Sequence, residues 1–561
     1  MPQKPVFSRS PVLPVPYAFL SNGLIRTDDK RIEKLFYQAC KYSESPFLWE
    51  GLFSIACLIT KDPLTENVSD LIRNAVQESE DGSFNGSVSE QIHIARAAFS
   101  LYEYNTDRSI LKRLAKWFRY LEIEFGQLSA QDGLLYTSAD LMELLVKYYL
   151  VTGLKSVLRL CALLRAASFD WTTALHTFQQ SIPVQYKETD FFSALQITTP
   201  DILGYYDKEK LINHAELLAD GMRYTLYSGL YSGNTQDLSA GKKVWQYLIK
   251  RHRAICGGTT SNPYFCGKAA NNPVDKMAIM AWAEAFASQM NMKDYHWAAD
   301  ELVRILFNAI DTCLNNDEPP GTLWLNCTKS IKKNTNEQDQ YRLYGRLTRA
   351  VACAYQHAVT VMRNGIRINY TLPCRMILSI RNQPVILHMT EQDIRFQCDE
   401  PFQTNIDIYI ALTETAVPAI SSNNKTICSY TEKTTPSDHG YFIHTNRQWL
   451  SGDSIHFVQK HRIYSETTNH QGICFFLRNR LMSLPVAESF IPVAACDMPF
   501  ISDGKVYLKI GKISHWKEEN GLLHDIPVLP EITDDTYIVI LSPYSGNNTG
   551  ISMFPRGRKH G

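Results

Sequence analysis

Carboxylates beside turn-forming glycines are the residues of this sequence whose types and spacing could do chemistry. Trp49-Glu50-Gly51 opens an apolar helical run. Asp81-Gly82-Ser83-Phe84 and Asp132-Gly133-Leu134-Leu135 each precede a helical pattern, and GLYSGNTQDLSAG (229–241) carries Asp237. The segment 256–277, CGGTTSNPYFCGKAANNPVDKM, holds two cysteines and Asp275 and runs into a strongly apolar stretch. Two carboxyl groups about 5–10 Å apart can cleave a glycosidic bond, one protonating the leaving oxygen and the other acting as base or nucleophile. On this reading Glu50, Asp81, Asp237 and Asp275 are the candidate catalytic acids, and Trp49 and His176 (in DWTTALHTFQQ) are sugar contacts. The competing reading is plainer. An Asp-Gly pair is first of all turn chemistry, and His176 is equally a helical histidine with a satisfied hydrogen bond. Spacing alone does not say which two carboxylates meet.

Other chemistries lose ground. The sequence has no phosphate loop, no G-x-G-x-x-G after a strand, no H-E-x-x-H and no G-x-S-x-G elbow. Lys+Arg and Asp+Glu are both 57, so no strong basic field exists to hold nucleic acid or anionic lipid. No window approaches the ~18 apolar residues of a membrane span. Prolines 11, 14 and 16 interrupt the N-terminal apolar run, which is therefore not of secretory type. The 13 cysteines are odd in number, and no two stand at C-x-x-C spacing, the pattern of reduced thiols in a cytoplasmic protein. Aromatic residues make up 11%, which suits stacking on sugar rings and equally suits large cores.

The elements that must position these residues divide the chain. A length of 561 residues predicts two to four domains at ~100–200 residues each. To residue 365 the apolar positions recur with helical rhythm, as in 46–60, 89–105 with 109–125, 138–153 with 154–168, 276–292 with 295–310, and 341–362. Helical hairpins repeat about every 40–50 residues, which predicts a solenoid or a closed toroid. The absence of polar capping repeats favours closure. The stretches 126–137, 169–200, 228–275 and 311–340 read as loops at the toroid's ends, where function usually sits. After 365 the pattern changes to β-branched alternation in short runs separated by turns, as in NIDIYIALT, KVYLKIGKI and TYIVILSP, the signature of an antiparallel sandwich. The expected fold is mixed α + β and multidomain: an extended segment (1–25), an (α/α)6 barrel carrying the site (26–365), a β-sandwich (366–480) and a second β-region packing on sandwich or barrel (481–561).

Several stretches resemble glycoside hydrolase family 127, the β-L-arabinofuranosidases. DYHWAADELVRILFNAI (294–310) is similar to a family helix, with Asp300, Phe307 and Asn308 in register. GYFIHTNRQWLSGDSIHF (440–457) resembles a sandwich hairpin, with Gly440, Tyr441, Arg447, Trp449, Gly452 and Asp453 in register. YIVILSPYSGNNTGISMF (537–554) resembles the closing strand with its Pro543-Tyr544, and GLYSGNTQDLSAG a serine-glycine loop of related members. The resemblance implies an (α/α)6 barrel followed by β-sandwiches, and hydrolysis of terminal sugars such as L-arabinofuranosides in plant-derived oligosaccharides by a bacterial-type protein.

The family's site binds zinc through one glutamate and three cysteines, one of them the proposed nucleophile. Here Lys276 and Ala278 stand at its glutamate-x-cysteine, and Arg342-Leu343 at its cysteine pair. The loop of the family's acidic glutamate reads TTSNPYFCGK. Zinc takes thiolate, imidazole or carboxylate ligands, for which Lys and Arg cannot substitute. No zinc or other cofactor is therefore expected, and a rearranged thiol site would have to use Cys256, Cys266 or Cys353. The expected function is that of a glycoside hydrolase. The alternatives are a catalytically silent sugar-binding or scaffold homologue, or a lyase or isomerase on the same toroid. The expected partner is an oligosaccharide, with no nucleic acid and no membrane, and self-association is left open.

Overall fold

The structure is a computed structural model. It describes residues 25–558 apart from 60–61, 78–79, 126–133, 180–207, 270, 291, 293–294, 317–321, 330–336, 363–364, 381–382, 412–416, 423–424, 430–433, 437–439, 459–462, 468–471, 487–489 and 545–548. Helices come first and strands after them. The helices are α1 (Lys30–Cys40), α2 (Pro46–Leu58), α3 (Asp62–Ala75), α4 (Val88–Asn105), α5 (Arg108–Phe125), α6 (Leu134–Thr152), α7 (Ser156–Ala167), α8 (Trp171–His176), α9 (Lys208–Asn213), α10 (Ala215–Ser232), α11 (Thr235–Arg251), α12 (Lys276–Gln289), α13 (His296–Ile305), α14 (Asp311–Asn315) and α15 (Glu337–Gln356). A π-helical turn, Leu306–Ile310, joins α13 to α14.

Six of these helices form a closed ring of contacts. α2 packs on α4, α4 on α6, α6 on α10, α10 on α12, α12 on α15, and α15 returns to α2. Outer helices back them: α3 and α5 lie on α4, α7 on α6, α8 and α11 on α10, α13 on α12, and α1 on α2 and α15. Ring helices are enclosed on nearly all sides, so α10 and α12 are buried almost throughout and lose the one-faced apolar rhythm of a surface helix. Close approach demands small residues. A Cβ on Gly51 of α2 would lie 2.0 Å from Thr348 Oγ1 of α15, and one on Gly221 of α10 would lie 2.3 Å from the Trp171 ring.

Three of the predicted loops hold helices of their own: α8 interrupts 169–200, α11 fills much of 228–275, and α14 opens 311–340. GLYSGNTQDLSAG is therefore no glycine-rich loop: it is the end of α10, a turn at Gly233 and Asn234, and the start of α11. Gly233 has φ +73°, and the Asn234 side chain accepts from Gln236 N.

The strand region contains three large sheets. One runs in the order Ile25–Arg26, Cys374–Ile380, Gln383–Met389, Asp393–Cys398, Ser454–Val458, Val417–Ser422, Lys425–Ser429. A second runs Thr434–Pro436, Gly440–Trp449, Phe402–Ala411, Gly365–Ile368, Val359–Met362. Phe396 of the first meets Phe402 and Trp449 of the second, with ring centroids 6.1 and 4.6 Å apart. Pairing is antiparallel except between Phe402–Ala411 and Gly365–Ile368, which run parallel. That departs from the all-antiparallel expectation, because the chain crosses over between these two strands instead of turning back. The third sheet runs Ile463–Thr467, Gly472–Leu477, Arg480–Ser483, Ile532–Pro543, Lys505–Ile513, Val493–Ala495.

The residues that carried the family resemblance pin these parts together. Asn308 donates to Asn479 O (2.9 Å) and accepts from Leu481 N (2.7 Å), joining the π turn to the third sheet. Tyr544 donates to Trp324 O (2.9 Å). Arg447 bonds Asp453 (2.9 Å) and lies over the Trp449 ring.

Candidate active site

The ring's bore is lined by charge. Glu216, Asp220 and Arg223 recur along α10 and Arg342, Arg346 and Arg349 along α15, at helical spacings that align one face. Asp140, Glu143 and Lys147 do the same on α6. Glu50 comes from α2, Arg96 from α4 and Glu284 from α12.

These side chains form one ion network. Arg96 grips Glu50 with Nε and Nη2 (2.7 and 3.0 Å) and reaches Asp140 with Nη1 (2.6 Å). Arg223 meets Asp140 (2.7 Å), Glu143 (2.5 Å), Asp220 (3.0 Å) and Glu284 (3.2 Å). Arg346 bonds Asp220, and also Glu216 (3.2 Å) and Glu284 (3.3 Å). Arg349 lies 3.4 Å from Glu284 and 3.9 Å from both Glu50 and Asp140. Lys147 holds Glu143 at 2.5 Å. Arg342 donates to both oxygens of Glu216 (3.3 Å). Six carboxylates face six cations among the described residues, so the set is electroneutral. Such burial is tolerated only with this degree of pairing.

At the N-terminal ends of the ring helices the network reaches a shallower layer. The segment before α12 folds over the start of α10: Ala215 N donates to Pro263 O (3.1 Å), and Phe265 N to Asn213 O (3.2 Å). His214 caps α10, its Nδ1 accepting from Leu217 N (3.4 Å), and meets Tyr264 edge-on. This brings Asp275, whose Oδ1 caps α12 by accepting from Met277 N (2.8 Å), within electrostatic reach of Glu216. Solvent still reaches part of Asp275, and Arg342 is 30% exposed.

The two carboxyls are driven apart. Burial first, then the Glu216 charge, raises Asp275 to about 7. Burial also opposes ionisation of Glu216, but Arg342 and Arg346 outweigh it and hold that carboxyl at about 2. Near neutral pH Asp275 can therefore offer a proton beside a fixed negative charge. Burial lowers His214 to about 4, so its imidazole stays neutral.

The six residues singled out from the sequence do not converge. Asp275 lies at the ring's N-terminal end. Glu50 sits in the ion network, bound by Arg96. Asp237 pairs with His176 Nε2 at 2.7 Å in the first turn of α11, at the opposite end of the hairpin from Glu216. Asp81 is exposed and accepts from Ser83 N (2.9 Å), the turn reading of its Asp-Gly pair. Trp49 corrects the sugar-contact expectation: it is 7% exposed and donates to Ser43 O (2.7 Å), so its ring belongs to the core. Asp132 lies outside the described residues. Sequence reasoning missed Glu216 and Arg342. Each helix carries its charges at helical spacing, but nothing in either stretch names its partner in the other.

The residues do not fit the zinc site of the resembling family. Ala278 and Leu343 are buried apolar side chains, and Arg342 is engaged by Glu216. Lys276 is fully buried beside Cys313, and burial lowers its amine to about 8. Among the described residues no group of three or more His, Cys, Asp or Glu side chains could hold a metal ion. Cys256, Cys266 and Cys353 form no disulfide. Burial raises Cys256 and Cys353 to about 12 and Cys266 to about 11, which keeps them as thiols.

No protein-family model matches the sequence, and no curated protein does. Solved structures do. The chain is similar to a glycoside hydrolase at 13% identity and TM-score 0.71, over 97% of each chain. It is similar to a GH127 β-arabinofuranosidase at 12% identity and TM-score 0.65, over 98% of this chain and 99% of the other. The GH127 β-L-arabinofuranosidase Ara127N from Geobacillus stearothermophilus T6 matches at 14% identity and TM-score 0.63, over 94% of each chain. The chain has the fold of these enzymes along nearly its whole length.

Proposed function

We propose that the chain is a glycoside hydrolase whose helical ring is the family's (α/α)6 barrel, with β-sandwich material behind it. It acts on terminal sugars of plant-derived oligosaccharides, L-arabinofuranosides among them, through carboxyl groups in place of a zinc–thiolate centre. One observation carries this reading. Asp275 and Glu216 share the ring's N-terminal end, and their protonation states are pushed to opposite sides of neutrality, the arrangement that lets one group be acid and the other stay anionic. Asp275 protonates the leaving oxygen as the glycosidic bond breaks. Glu216, held ionised by Arg342 and Arg346, stabilises the oxocarbenium-like charge on the sugar, and a water then adds to the anomeric carbon and gives its proton to the now ionised Asp275, which restores the starting state. No step needs a metal.

A second reading has its own support. Both Glu216 oxygens are engaged by arginines, which fits a silent homologue that binds sugar without turning it over. A screen on aryl glycosides and arabino-oligosaccharides separates the two. Turnover that disappears in both Asp275→Asn and Glu216→Gln supports the hydrolase. Binding without turnover, unchanged by either substitution, refutes it.

A further inference from the structure

Asp275 caps α12 with its side chain, but its backbone is held from another direction. It ends a two-residue strand, Val274–Asp275, that pairs antiparallel with Thr322–Leu323 as Val274↔Leu323 and Asp275↔Thr322. Residues 322–328 form a strap that leads from this pair into a small sheet, where Asn326–Cys327 lies between Leu522–Leu523 and Gly550–Ile551. The strap is anchored to the C-terminal β-region along its length. Tyr544 donates to Trp324 O (2.9 Å), Ser552 N to Leu325 O (3.1 Å) and Thr328 N to Gly521 O (2.8 Å). The segment that carries Asp275 is tied to the same region by Asn271 Nδ2, which lies 2.8 Å from His524 Nδ1.

Asn326 is the strap's central anchor. It is fully buried, and its carboxamide bonds as a peptide group would. Oδ1 accepts from Ser552 N (3.0 Å) and Met553 N (2.9 Å), and Nδ2 donates to Met553 O (2.9 Å). These bonds span 226 and 227 residues of sequence, so they shape no local turn. An ionised carboxylate could not replace them, because it has no donor for Met553 O.

A general acid works only with its carboxyl within hydrogen-bond reach of the leaving oxygen, and a misplacement of about 1 Å costs on the order of 10²-fold in rate. We propose that Asn326 is a positioning residue for glycoside cleavage: by fastening the strap to Ser552 and Met553 it fixes where Asp275 stands at the ring's end. The inference rests on the assignment of Asp275 as the acid. It gives the C-terminal β-region a part in the chemistry, through a chain of backbone pairing that ends one residue before α12.

Values of kcat/KM for aryl glycosides graded by leaving group test this on the full chain. A poor leaving group needs the acid and a good one does not, so Asp275→Asn should lose rate on the poor ones alone. Asn326→Ala should repeat that pattern, with a loss of about 10²-fold on poor leaving groups and little change on good ones. Leu508→Ala opens a cavity in the strand Lys505–Ile513, which does not pair with the strap. It should lower the melting temperature and leave both rates as they are. No loss in Asn326→Ala, or an equal loss on every leaving group, overturns the proposal. Should Asn326→Ala misfold, Tyr544→Phe, which removes one anchor of the strap, should give the same pattern at smaller amplitude, and a loss independent of the leaving group overturns the proposal there too. An Asp275→Asn variant whose loss ignores the leaving group refutes the acid assignment alone. Hydrogen exchange then decides the coupling. Faster exchange of amides 274–278 in the strap variant, with α4 and α6 unchanged, supports it, and unchanged exchange overturns it.

Discussion

Replacing Arg223 by Met probes the ion network most directly. Arg223 is 1% exposed and touches four carboxylates. Breaking a buried ion pair by removing one partner costs about 3–5 kcal/mol. The carboxylates keep other cations: Asp140 retains Arg96, Glu143 retains Lys147, and Asp220 and Glu284 retain Arg346. The low end, about 3 kcal/mol, is therefore expected. The bore then holds one unbalanced negative charge, and some carboxyl in it must titrate at higher pH than in the parent. Where the folded state binds the extra proton, stability rises as pH falls. At pH 5 the loss should shrink by about 1 kcal/mol, the equivalent of slightly less than one pH unit at 1.36 kcal/mol each. Urea unfolding at pH 8 and pH 5 measures both quantities through the midpoint at constant m. A second substitution, Asp140→Asn, restores neutrality and should recover part of the loss, a non-additivity expected within one network. A loss below about 1 kcal/mol, or one independent of pH with no recovery in the double variant, refutes the account of the bore as a balanced ion cluster.

Further outcomes follow from the same geometry. The rate on any substrate should fall above pH 7 as Asp275 loses its proton, and Asp275→Asn should remove that limb of the profile along with most of the activity. Glu103 is raised to about 7, first by burial and then by Glu50 and Glu143. Its favourable contribution is complete below pH 4.5 and is lost as pH rises toward 7. Glu103→Gln should therefore stabilise the protein by about 2 kcal/mol at pH 8 and change little at pH 4, read by urea unfolding; the gap from 4.5 to about 7 bounds the gain at about 3 kcal/mol. Elemental analysis of protein purified without added metal should find no stoichiometric zinc, and chelators should leave activity unchanged; one zinc per chain, lost on mutating Cys256, Cys266 or Cys353, refutes this. Gly221→Ala forces a methyl against Trp171 and should cost about 1–3 kcal/mol in thermal or urea unfolding.

Much of the helical half was legible because its outer helices show one-sided patterns, as in α5, where Ile110, Leu114, Trp117, Phe118 and Leu121 are buried. α10 was not legible. AELLADGMRYTLYSGLYS is buried on every side, so its row of Glu216, Asp220 and Arg223 faces a charged bore and not solvent, and Gly221 and Gly229 read as breakers although they mark close packing. Of the two carboxyls proposed as the catalytic pair, only Asp275 stood out in the sequence, where a polar segment runs into an apolar helix. Glu216 was hidden because its meaning depends on Arg342, 126 residues away, and pairing across that distance leaves no local trace. Trp49 and Asp81 misled for the opposite reason. Tryptophan and Asp-Gly are common to binding sites and to ordinary cores and turns, and here the ordinary role applies to both.

The closed ring also fixes an order of events during synthesis. α15 is the last ring member to leave the ribosome, and it contributes Arg342, Arg346 and Arg349. All six acids of the bore lie on the five ring helices made earlier, together with only Arg96, Lys147 and Arg223. Until α15 docks between α12 and α2, the nascent arc carries three uncompensated negative charges along its open bore. The last helix therefore acts as an electrostatic latch. Chains that stall before residue 356 should stay open and repel one another, and the full-length chain should gain much of its compactness in one late step.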